Sequence, residues 1–182
     1  MEEFEKVFND LEEIVAKMAR VATGRRVIIG DQEIIPKPDG EFILLETMGI
    51  QPHIWEDNAF QTEEGVAYVT HNYTVTYMLT AYRGKAYAAL SRLLQAINLP
   101  VFYEKFFPDG SMYAYSSAST ISPLRVPMNK QAYEVRATVM MTFNVRFIET
   151  DMAAFEDLQG IEAALHVLHP ADGSQAVIDP GQ

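Results

Sequence analysis

Cysteine is missing altogether from this 182-residue chain. That excludes a disulfide scaffold, a thiolate nucleophile and a Cys-ligated zinc or iron–sulfur centre, and it fits a reducing compartment. Long apolar runs are missing too. No stretch approaches the ~20 residues that a bilayer-crossing helix needs. The opening MEEFEKVFND has neither the basic n-region nor the apolar h-region of a signal peptide. The expectation is therefore a protein with no membrane partner.

Positive charge is scarce. Fourteen Lys and Arg stand against 25 Asp and Glu, a formal charge of −11. An acidic surface repels a phosphate backbone, so tight nucleic-acid binding is not expected. The imbalance is concentrated at the end. Asp151, Glu156, Asp157, Glu162, Asp172 and Asp179 lie in residues 151–182, which hold no Lys or Arg. Such a tail reads as a solvated segment, or one that repels DNA or meets a basic partner. The expected division is a single domain over 1–150 and an acidic C-terminal extension over 151–182.

Catalytic signatures are also absent. There is no Gly-x-Ser-x-Gly elbow, Walker A loop or Gly-x-Gly-x-x-Gly turn. Ser116, Ser117, Ser119 and Ser122 have no base near them in sequence, and the carboxylates are scattered. Four histidines remain. His166 and His169 are three apart, a spacing that binds metal on a helix, but no His-Glu-x-x-His pattern accompanies them. His71 falls on the apolar face of an alternating run, a place for a hydrogen-bonded core histidine rather than a catalyst; His53 sits in a polar loop. Arg25-Arg26 reads as a solvated corner between a helix and a strand. Trp55, the only tryptophan, lies in an acidic loop spanning Pro52 to Gly65, where it tucks against the body or anchors an interface. The residues thus assign no catalytic, cofactor-binding or metal site, and the expectation is no enzyme and no cofactor.

What is present is architecture. From Tyr133 to Phe147 every odd position is apolar and every even one except Met140 is polar. A period of two places alternate side chains on opposite faces of a strand. The run lasts fifteen residues without Gly or Pro, which at ~3.3 Å per residue spans roughly 50 Å. Such a strand bends at a bulge or reaches beyond its own domain. Ala67 to Tyr82 repeats the pattern, with Val69, His71, Tyr73, Val75, Tyr77, Leu79 and Ala81 on one face and a Thr-rich second face. Two such strands are natural antiparallel neighbours, and their apolar faces need a covering layer.

Two segments supply that cover. In residues 2–20, Phe4, Val7, Phe8, Leu11, Ile14, Val15 and Met18 keep helical spacing, with Thr23-Gly24 as the stop. In Lys85–Asn98, Ala86, Ala89, Leu90, Leu93, Leu94 and Ile97 do the same, ended by Asn98 and Pro100. Val27–Ile29 and Phe42–Leu45 read as short strands, Ser111–Thr120 as a strand or adaptable loop, and the segment between Pro123 and Pro127 as a sheet edge. Met152–Leu158 is expected to make a helical turn and Ile161–Val167 a last short strand. The fold class is therefore α+β: an antiparallel (mixed) sheet with two long strands, flanked on one face by two amphipathic helices.

Three segments, in order, carry a family resemblance. They are VIIGDQEIIPKPDGEFILLE, TVTYMLTAYRGKAYAALSRLL with its Tyr-x-Gly, and YEVRATVMMTFNVRF with Glu-x-Arg near its start. Over Val27 to Phe147 the chain resembles the phage neck or tail terminator proteins, also called tail-completion or collar proteins. The resemblance implies a virion protein made in the host cytoplasm and assembled as a homo-oligomeric ring, hexamer or dodecamer, at the head–tail junction. Its implied partners are further copies of itself, connector or adaptor proteins, and tail tube or sheath proteins. DNA would pass through the ring without specific binding, and the family has no catalytic residues to carry over. The chain departs from the family's pattern between Gly30 and Pro36 and after Thr150. Two other readings stand beside this one: a small-molecule binder or enzyme with a pocket between helices and sheet around His71, Tyr73 and Tyr113, and an accessory protein that binds one host partner.

Overall fold

A computed structural model of the chain describes residues 2–30, 38–53, 59–61, 67–129 and 132–151. Among these residues there are three helices, α1 (Glu2–Thr23), α2 (Ala86–Ile97) and α3 (Pro100–Phe106). One seven-stranded mixed sheet contains β1 (Arg26–Ile29), β2 (Phe42–Pro52), β3 (Ala59–Gln61), β4 (Ala67–Tyr82), β5 (Tyr113–Ala118), β6 (Ser122–Asn129) and β7 (Ala132–Asp151). The fold is α+β. The main path runs β1-β2-β4-β7-β5, with β3 also pairing β4 and β6 also pairing β7.

β4 and β7 form the spine. They pair antiparallel from Ala67↔Asp151 to Tyr82↔Arg136 without a register shift. In that register the apolar positions meet one another: Val75 faces Phe143, Tyr77 faces Met141, Leu79 faces Val139 and Ala81 faces Ala137. All eight are buried. Beneath them lie Val7, Phe8, Leu11, Val15 and Met18 of α1 and Ala86, Leu90, Leu93 and Ile97 of α2, in one continuous core. Burial of this stripe, not helix propensity alone, holds helices of this length in place. On the other face Thr76 meets Thr142, Met78 meets Met140 and Thr80 meets Thr138.

The chain leaves α1 at Gly24, whose φ of +71° suits the glycine and whose N–H donates to Arg20 O at 2.9 Å. β1 then pairs parallel to β2, which makes the sheet mixed. A parallel neighbour needs a connection of about a dozen residues or more, and about that many separate Ile29 from Phe42 in the sequence. β2 is much longer than the Phe42–Leu45 expected. A bulge between Thr47 and Gly49 carries it on to Pro52 and keeps it paired with β4 as far as Tyr73. The loop expected from Pro52 to Gly65 also contains β3, which β4 recruits through its extended first residues. Pro100, expected only to end a helix, opens α3 at its first position, where its missing N–H costs nothing. Trp55, His166, His169 and the elements expected after Asp151 lie outside the described residues.

Candidate functional site

The most constrained constellation lies where β4 ends and β7 begins. There the three sequence segments that carry the family resemblance meet. Arg83 has a φ of +63°, a left-handed conformation that costs an L-residue about 1–2 kcal/mol. Its neighbours offset that cost. The Arg83 N–H donates to Val135 O at 2.7 Å, its guanidinium donates to the Pro38 and Gly40 carbonyls, and its Nε lies 3.3 Å from Glu134 Oε1.

Glu134 is the hub. Its side chain is 1 % exposed. A carboxylate so buried is stable only when paired and hydrogen-bonded. Here Oε2 also accepts from Arg136 Nε at 2.8 Å and Nη2 at 2.6 Å. Two guanidiniums therefore bracket one carboxylate. Arg136 in turn lies over the Tyr82 ring, 4.7 Å from its centroid, and Tyr82 stacks on Phe42 at 4.4 Å with 7° between the planes. Phe42, Tyr82 and Arg136 are direct cross-strand neighbours on β2, β4 and β7, so register alone builds this stack. Burial pushes the Tyr82 hydroxyl above the ordinary tyrosine pKa, with the Arg136 charge acting against it.

Arg25 belongs to the same corner, which corrects the expectation of a solvated basic spot. Arg25 is buried whereas Arg26 is exposed. The Arg25 guanidinium pairs with Glu41 at 2.7 Å and donates to the Tyr82 and Arg83 carbonyls. Doublet spacing in sequence could not separate the two arginines, because adjacent residues at a strand start point to opposite faces. Gly84, with φ +51°, packs so closely on this pair that a Cβ there would come within 1.7 Å of Glu41 Oε1. The arrangement locks three strands and the entry to α2. Its chemistry is ionic and structural.

One sequence reading places a pocket between helices and sheet around His71, Tyr73 and Tyr113. That space is filled. Tyr73 meets Phe4 and Phe8 edge-on, each at 5.5 Å, and stacks on Phe147 at 5.9 Å. His71 stacks on Phe147 at 5.1 Å. Tyr113 points its hydroxyl into α1, donating to Val7 O at 2.9 Å, and burial raises its pKa, with Asp10 adding to the effect. His53 bonds Thr74 Oγ1 through Nε2 on the other side of the sheet. It borders an open depression of about 410 Å³ that Tyr73 also lines, with Asn72, Met112, Asn144 and Arg146. Among the described residues no group of three His, Asp or Glu is placed to hold a metal ion, and no helix is long and apolar enough to cross a membrane.

These features define a class: an α+β protein whose most constrained residues hold long strands and a helix entry in fixed register. A family model described as phage neck terminator protein matches residues 6–170. The chain belongs to that family, and is a structural protein of the phage neck and tail. Among curated proteins nothing matches the chain. The family match takes in every described strand and all but the first residues of α1. The family is legible from three segments in order over Val27 to Phe147, but the contact between Arg83 of the second and Glu134 of the third is not.

Proposed function

We propose that this chain is the repeating subunit of a homo-oligomeric ring, sixfold or twelvefold, at the head–tail junction. The ring terminates the tail tube, joins it to the connector and leaves an open channel for DNA. The family match over residues 6–170 carries the reading. The formal charge of −11 supports it, because an acidic wall lets a polyanion slide instead of holding it. In this reading the two long strands β4 and β7, with the amphipathic α1 and α2 on one face, form the rigid body of the subunit. Residues 1–150 act as one domain and 151–182 as an acidic extension. Its neighbours are connector or adaptor proteins on one side and tube or sheath proteins on the other, and it performs no catalysis.

Phage produced without this chain test the reading. Filled heads and tails that fail to join are the expected products. Normally joined, infectious particles would overturn it. The pocket reading is disfavoured: Tyr73 borders the open depression beside His53, but Phe4, Phe8 and Phe147 occupy the space between α1 and the sheet that it requires.

A further inference from the structure

β7 outruns its long partner. The β4 ladder stops at Arg136, and beyond that residue, apart from the Arg83 N–H on Val135 O, β7 pairs with β6 alone, down to Asn129↔Ala132. The resulting two-stranded arm carries the exposed apolar side chains of Tyr133, at 68 % exposure, and Val135, at 43 %; Leu124, opposite Arg136 at the root, lies on the other face. Residues at the end of a two-stranded ribbon have no layer to bury them, and a hairpin alone is marginal in water. The arm's sequence also carries a net positive charge in an acidic chain. Between Ser122 and Thr138 stand Arg125, Lys130 and Arg136 against the single carboxylate of Glu134. That carboxylate is already neutralised at the root of the arm. Arg125 is exposed.

A surface of complementary character lies elsewhere on the same chain. The end of α2, α3 and β5 enclose an open depression of about 390 Å³. The half-buried Tyr103 and Tyr115 line it over the buried Ile97 and Phe107, and Glu104 and Asp109 stand at it. Both carboxylates are exposed. Nearby, Leu99 and Val101 are 59 % and 83 % exposed, so apolar surface continues outside the depression. Lys105, the cation between Glu104 and Asp109 in sequence, holds its Nζ 5.7 Å from the centre of the Phe106 ring. The arm cannot reach this depression on its own protomer. Tyr115 and Phe107 pack on Phe143, and Tyr133 lies ten residues further along β7, roughly 33 Å away at ~3.3 Å per residue.

We propose that the β6–β7 arm of one copy docks in the α2–α3–β5 depression of a second copy of this chain. Tyr133 and Val135 supply apolar contact, and Arg125, which shares their face opposite Val135, meets Glu104 and Asp109. The two surfaces are different patches on one protomer, so the contact is head-to-tail. Head-to-tail contacts repeat from copy to copy and close into a ring when the rotation allows. The inference rests on the ring reading above and names the contact that builds it.

Because the chain has no cysteine, the test is clean. Arg125→Cys and Asp109→Cys are introduced into the full-length chain, singly and together, and treated with a short bis-maleimide in assembled particles. The doubly substituted chain is expected to give a ladder of covalent oligomers. A mixture of the two single variants is expected to give dimers only, and each single variant alone no product. Arg125→Glu is expected to raise the concentration needed for assembly at least about tenfold, with Asp109→Arg in the same chain restoring it. Circular dichroism checks that each variant is folded. Particles that contain the chain in a ring yet give no ladder, or give dimers from Arg125→Cys alone, overturn the proposed contact and leave the ring reading intact. A chain that is absent from the neck overturns both.

Discussion

Arg83 and Glu134, 51 residues apart, meet at 3.3 Å with the carboxylate almost wholly buried. Arg83 closes β4 and Glu134 opens β7, so the pair fixes the end of the longest strand pairing in the protein. Removing one partner of a buried pair leaves the other charge uncompensated. Arg83 and Arg136 are 34 % and 27 % exposed, which lets water relieve part of that cost. Glu134→Ala should therefore destabilise the fold by about 2–3 kcal/mol. Urea denaturation measures it. Arg26→Ala, at an exposed neighbour of the buried Arg25, should change stability by less than ~0.5 kcal/mol.

Gly84 and Gly40 give a matched comparison. Both have positive φ, +51° and +88°. A Cβ at Gly40 meets nothing within 4 Å, whereas one at Gly84 strikes the Glu41 carboxylate. Gly40→Ala should show the conformational cost alone, about 1–2 kcal/mol. Gly84→Ala should cost more, because Glu41 must also leave Arg25. Thermal melting of the two variants orders them, and equal losses would count against the packing described at Glu41.

Tyr82, Tyr113 and Tyr115 all have hydroxyl pKa values raised chiefly by burial. Above about pH 10 the unfolded chain ionises these tyrosines while the folded one still holds their protons. Stability is then fully present below that pH and falls as pH rises from the unfolded value through the raised folded ones. Absorbance titration of the tyrosines should resolve a late-ionising class that merges with the rest on unfolding. Tyr113→Phe should remove one late hydroxyl and, through the lost bond to Val7 O, about 1 kcal/mol.

Much of this fold was legible because its strands obey one rule for a long distance. In 67–82 and 133–147 the alternation continues past any ordinary strand length, and a helix cannot satisfy a period of two. The α1 and α2 stripes were equally plain from Val7, Leu11 and Met18 and from Ala86, Leu90 and Leu93. What sequence could not show were features made by partners. Phe42–Leu45 gave no sign that β4 would draw the chain on to Pro52, since Met48, Gly49 and Gln51 carry no strand alternation of their own. Ala59–Gln61 is too short to have a period. Pro100 served equally as a helix stop and a helix start. The ionic corner was hidden for the same reason: Arg25, Glu41, Arg83 and Glu134 lie on four separate segments, and only strand register brings them together. Three of its residues nonetheless stood inside the quoted motifs, where Tyr-x-Gly and Glu-x-Arg marked positions whose structural reason is their mutual contact.

The central claim is that copies of this chain form a closed ring at the phage neck. Cryo-electron microscopic reconstruction of the neck, with this chain fitted to the density, tests it most directly. The account predicts six or twelve copies around an open channel, each with its β6–β7 arm on the next copy's α2–α3 surface. A single copy, or a set of copies at the neck that share no contact with one another, would contradict it.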